Sequence, residues 1–176
     1  MTKKGVSDAG ILANNRVLVL DRRKADQLLT AGFGERKERE LVLDNREALY
    51  LVEKGRLEVE GKEGIGLTFG ELLKAFSREK HFYTIYMVFK DLRERGFVAR
   101  TGFKFGFDLR VYPRGKKPGE AHSDFVVHVQ KQEERCSFPE LSRLARMAGT
   151  LHTRLLLAVV DAENDVNYYQ IARVLP

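Results

Sequence analysis

Cysteine is almost missing from these 176 residues: Cys136 stands alone, which excludes an internal disulfide and any cysteine-based zinc cluster. There is no apolar run of about 18 residues, the length a membrane-spanning helix needs. The opening MTKKGVSDAGILANN holds no apolar stretch long enough for a secretory signal, so the expectation is a cytoplasmic chain without cross-links. A Walker loop, a dinucleotide fingerprint and a paired-histidine helix motif are all missing, which removes the commonest nucleotide-dependent and zinc-hydrolase readings. Internal repeats, low-complexity tracts and a Pro/Gly/Ser-rich linker are missing too.

What is there belongs to a folded chain. Apolar residues make up 43% and charged residues 32%, a globular balance rather than a disordered one. The length suits one large domain or two small ones. The net charge of +6 is concentrated. Between Lys90 and Lys117 nine basic residues face three acids, while the rest of the chain balances at 22 against 22. Such a local excess fits either a polyanionic partner or a solvated basic face.

Periodicity and punctuation give the organisation. Arg16 to Leu20 reads as a strand, Lys24 to Leu29 as a helical turn and Glu35 to Glu40 as a charged loop. Asp44 with Glu47, and Thr68 with Glu71, have capping-box spacing ahead of apolar residues. Leu57 to Glu60 alternates like an edge strand. Phe82, Ile85, Tyr86, Phe89 and Leu92 recur at helical spacing, and Gly96 closes that helix. Beyond it come strands at Phe97–Ala99, Phe107–Tyr112 and Phe125–Val129, with a basic loop, Pro113 to Gly119, before the last of these. A helix opens at Ser137 with Pro139 and Glu140 just inside. A buried-type strand covers Leu155–Val160, followed by an acidic turn and a final strand from Val166 to Val174. The expected fold class is α/β (α+β): a small N-terminal mixed domain, 1–80, packed on a C-terminal mixed-sheet, nuclease-like domain, 81–176.

Chemistry concentrates around the basic loop. His128 alternates within a strand, which favours a structural role, and His81 stands just ahead of a helix. His122 follows the loop at the mouth of a strand, and Tyr112 ends the strand before it. Together they point to RNA cleavage. A base must take the ribose 2′-OH proton, an acid must protonate the departing 5′ oxygen, and a cation suits the phosphorane. Histidine titrates near neutrality and suits the acid; a phenol serves as base where neighbouring cations lower its proton affinity.

From Tyr86 onward the chain resembles the catalytic half of archaeal tRNA-splicing endonucleases, the tRNA-intron lyases. The resemblance runs through YMVFKDLRERGFVARTGFKFGFDLRVYPRG, EAHSDFVVHV, ARMAG and LLLAVVDAENDVNYY, and more loosely through REALYLVEKGRLEV in the first half. It implies metal-independent transesterification of precursor tRNA at bulge-helix-bulge junctions, leaving a 2′,3′-cyclic phosphate and a 5′-hydroxyl, with no cofactor. The catalytic tyrosine falls on Tyr112 and the histidine on His122. The third position, a lysine in the family, falls on Thr153, which carries no charge. Arg154, one residue on, is the substitute cation if the strand begins with a twist or bulge. The resemblance also implies RNA-binding arginines at Arg146 and Arg173, beside the loop cations Arg114, Lys116 and Lys117. Asp161, Glu163 and Asp165 match an acidic loop that docks into another subunit, although acidic residues also suit an ordinary solvated turn. The final strand matches the edge through which subunits pair, so the partners implied are precursor tRNA and either further copies of the chain (a dimer or tetramer) or a related subunit. Three readings follow: an active endonuclease, a non-catalytic subunit that binds RNA and scaffolds an active partner, and a general RNA-binding module.

Overall fold

The computed structural model describes residues 8–102 and 106–174; the expected basic residue Lys104 lies outside them. The chain divides into two compact units, Met1–Phe82 and Tyr83–Pro176.

The first unit is built on a five-stranded sheet. Its strands are β1 (Gly10–Ala13), β2 (Arg16–Val19), β3 (Glu35–Lys37), β4 (Glu40–Leu43) and β5 (Val59–Glu60), in the order β3-β4-β2-β1-β5. Strand β1 went unread in the sequence. It is turned into β2 by Asn14 and Asn15, both at positive φ (47° and 63°), the left-handed pair that suits a two-residue hairpin. The segment expected as a charged loop is a strand pair: β3 lies on the sheet edge with all three residues exposed, so its charges reach water while its backbone bonds to β4. Helices α1 (Arg22–Thr30), α2 (Asn45–Glu53) and α3 (Phe69–Phe76) complete the unit, and both expected capping boxes form, Asp44/Glu47 on α2 and Thr68/Glu71 on α3. Arg46 is fully buried. Its charge is met by Glu79 and by Asp44, 3.6 Å away, and its guanidinium lies over the Phe82 ring.

Helix α4 (Phe82–Glu94) leads into the second unit, and its five periodic apolar residues are all buried. The sheet beyond it holds β6 (Val98–Thr101), β7 (Leu109–Tyr112), β8 (Phe125–Lys131), β9 (Arg154–Val160) and β10 (Val166–Ile171), in the order β10-β9-β8-β7-β6. All pairings are antiparallel except β8 with β9, which is parallel and requires a crossover. Helix α5 (Phe138–Thr150) supplies it, capped by Ser137. Leu144 and Ala148 pack on Phe107, Val126 and Leu155, so α5 covers the sheet face that carries Val126 and Leu155. On β10, which ends at Ile171 rather than Val174, Tyr168 donates to Asp91 Oδ2 on α4 at 2.7 Å, and Arg95 Nε donates to the same oxygen at 2.7 Å. Burial first, then the Asp91 carboxylate, raises the Tyr168 phenol well above the usual tyrosine range. Among the described residues no helix is long and apolar enough to cross a membrane.

Candidate active site

The register of the second sheet decides which residues meet. Val111 pairs with Phe125, and Phe125 with Arg154. Strand β7 therefore ends, at Tyr112, where β8 and β9 begin. Asp124 N donates to Val111 O at 2.8 Å, and Arg154 N donates to Asp124 O at 3.2 Å. Thr153 Oγ1 donates to Ser123 O at 3.2 Å. Tyr112, His122 and Thr153 are thus gathered at one end of one sheet. Tyr112 is buried and His122 is exposed. Tyr112 and Thr153 sit two strands apart, roughly 10 Å at ordinary strand spacing.

Alternation sorts the charges. Tyr112 shares the face of Val126, the face α5 covers, whereas Arg154 shares the opposite face with Phe125. The bulge that would bring Arg154 round is not there: pairing runs one to one from Phe125–Arg154 to Lys131–Val160. Instead the Arg154 guanidinium lies 4.1 Å from the Phe125 ring centre, with Asp124 Oδ2 3.9 Å from Nη2. The charge expected to substitute for the lysine is turned away from the face of Tyr112.

The remaining residues divide between the two ends of the sheet. Arg114, Lys116 and Lys117 lie on the loop leaving Tyr112; Arg114 stacks over Phe97 at 5.0 Å, and Lys117 pairs with Glu120 at 3.5 Å. Arg146 is exposed on α5 one turn before its end, and Arg173 follows β10, which returns to the same end because it runs antiparallel to β9. Asp161, Glu163 and Asp165 lie in the β9–β10 turn, at the far end. There Asp161 Oδ1 accepts from the backbone of Glu163 (3.0 Å) and Asp165 (2.8 Å), so it holds the turn while the Glu163 and Asp165 side chains are exposed. His128 sits mid-strand with Nδ1 3.3 Å from Asp108. Sequence reading passed over Asp124, Phe125 and Phe97, whose engagement of Arg154 and Arg114 depends on cross-strand register and leaves no local signal.

Residues 9–73 match the tRNA intron endonuclease N-terminal domain, and residues 82–168 match the tRNA intron endonuclease catalytic C-terminal domain. The chain belongs to the tRNA intron endonuclease family. It is 36% identical over 161 residues to the tRNA-splicing endonuclease of Methanococcus vannielii, covering 91% of this chain and 90% of the relative. It is similarly 36% identical to the tRNA-splicing endonuclease of Pyrococcus abyssi, over 91% and 92% of the two chains. To that of Pyrococcus horikoshii it is 37% identical, again over 91% and 92%. The family membership carries the endonuclease class and its α+β architecture with it.

Proposed function

We propose that the chain is a tRNA-splicing endonuclease subunit that cuts precursor tRNA at bulge-helix-bulge junctions by transesterification without a metal ion. Tyr112 takes the proton of the ribose 2′-OH; the 2′ oxygen attacks phosphorus; His122 gives a proton to the departing 5′ oxygen. The products are a 2′,3′-cyclic phosphate and a 5′-hydroxyl. The observation that carries this reading is the meeting of the Tyr112 strand end and the His122 segment, tied through Asp124 N and Val111 O at 2.8 Å. Arg114, Lys116 and Lys117, with Arg146 and Arg173, serve the RNA at the same sheet end. Glu163 and Asp165, on the turn held by Asp161, dock against another subunit, and β10, the open sheet edge, pairs subunits. A second reading rests on Thr153: with no charge there and Arg154 on the other face, the chain scaffolds a partner that carries the cation. Incubating the purified chain with a bulge-helix-bulge RNA in EDTA, and analysing the ends, tests the proposal. Cleavage to cyclic-phosphate ends, lost in His122→Ala, is the expected result; no cleavage by the chain alone, with cleavage restored by a lysine-bearing partner, establishes the scaffold instead.

A further inference from the structure

Thr153 sits at a joint of three elements. Helix α5 ends in a Schellman motif: His152 N donates to Gly149 O at 3.0 Å and Thr153 N to Ala148 O at 3.1 Å, with His152 at φ 52° in the left-handed position glycine usually takes. This fixes the backbone of Thr153 before β9 begins. Its hydroxyl then reaches sideways to Ser123 O at 3.2 Å, and the next residue, Arg154, bonds Asp124 O at 3.2 Å. The two carbonyls that follow His122 are therefore both held from the start of β9, the first by a side chain and the second by the ladder. The loop before them, Arg114 to Ala121, has turn bonds of its own (Lys116 N to Pro113 O, Glu120 N to Lys117 O), a bridge of Pro118 to Ala121, and the contacts of Arg114 with Phe97 and of Lys117 with Glu120.

From this joint we infer that Thr153 is a positioning residue for His122. The residue that the family resemblance would make a cation acts here through the backbone: its hydroxyl anchors Ser123 O and so sets where the imidazole of His122 stands. This rests on the reading of His122 as the general acid. For this anchoring it is the hydroxyl that matters, not charge or bulk. A threonine-sized side chain without the oxygen leaves Ser123 O without this donor and lets the His122 segment shift, and displacements of about 1 Å at a reacting group are enough to slow chemistry.

Thr153→Val removes the oxygen at constant shape, and Thr153→Ser keeps it. In the RNA-free protein, the His122 ring proton and Ser123 amide signals should move in Thr153→Val and return in Thr153→Ser. In single-turnover cleavage at saturating RNA, Thr153→Val should be roughly fivefold slower, with unchanged RNA affinity and a displaced acid-group limb in the pH–rate profile, and Thr153→Ser should restore both. If His122 and Ser123 signals are the same in Thr153→Val as in the natural chain, the positioning role is overturned. It is equally overturned if Thr153→Ser fails to restore them. Should the natural chain not cleave at all, the endonuclease reading fails by itself, while the spectra of the RNA-free protein still decide whether the Thr153 hydroxyl orders His122.

Discussion

Thr153→Lys is the perturbation that most sharply tests the charge argument. Extending the unbulged register of β9 back by one residue puts position 153 on the Tyr112 side of the sheet, about two strand spacings from it. A lysine's flexible four-carbon stem covers much of that gap and delivers a compact cation to the region where the phosphorane forms. A preorganised group at the developing charge is worth about 10²–10³ in rate. Against this stands the lost hydroxyl bond to Ser123 O, about 1 kcal/mol, or close to fivefold. The balance is a gain of roughly 20- to 200-fold in single-turnover cleavage of a bulge-helix-bulge RNA in EDTA. Affinity should hardly change, because one cation is a small part of the contact with RNA. A rate equal to that of the natural chain, at equal affinity, would refute the reasoning: it would mean that another cation already faces the reaction and that the turning-away of Arg154 has no chemical consequence.

The other predictions concern binding and stability. Arg114→Ala combined with Lys116→Ala should lower the slope of log affinity against log salt by about two, read from filter binding of a precursor tRNA at several salt concentrations; an unchanged slope would remove this loop from the RNA interface. Tyr168 keeps its proton in the folded state far above the pH at which the unfolded chain releases it, so its contribution is fully present below about pH 10 and declines as pH rises beyond that. Urea midpoints measured from pH 8 to pH 11 should therefore fall more steeply for the natural chain than for Tyr168→Phe, and parallel curves would contradict the half-buried bond to Asp91.

How much of this was legible in the sequence followed the range of the forces. The capping boxes at Asp44 and Thr68 formed as read because a side chain three residues away is enough to make them. The apolar stripe of α4 was legible for the same reason. Strands β1 and β3 were not: each is three or four residues long and owes its state to partners elsewhere, β1 to β2 and β5, β3 to β4. The all-exposed Glu35, Arg36 and Lys37 look like a loop because an edge strand in water has no apolar side to display. At the candidate site, Tyr112 and His122 could be singled out because they bracket a loop. The direction of Arg154 depended on the absence of a bulge and on the Phe125 ring opposite it, neither of which a charge count contains.

The same point bears on what a basic segment does. Its +6 is a property of the chain, but chemistry needs a cation at a place, and the structure engages several of the candidates at this sheet end before any RNA arrives. Arg154 lies on Phe125 beside Asp124, Arg114 on Phe97, and Lys117 beside Glu120. Arginines stacked on rings keep their charge and still attract a polyanion from a distance, since the field of the whole surface steers association. They are held, however, in orientations set by the protein. If the proposed reaction holds, attraction of RNA and stabilisation of the phosphorane are separable here: the first needs no lysine at position 153, and the second depends on what stands there. On the proposed reading, the fold would recruit a precursor tRNA to Tyr112 and His122 while the uncharged side chain of Thr153 sets the rate of the chemistry, which is what Thr153→Lys measures.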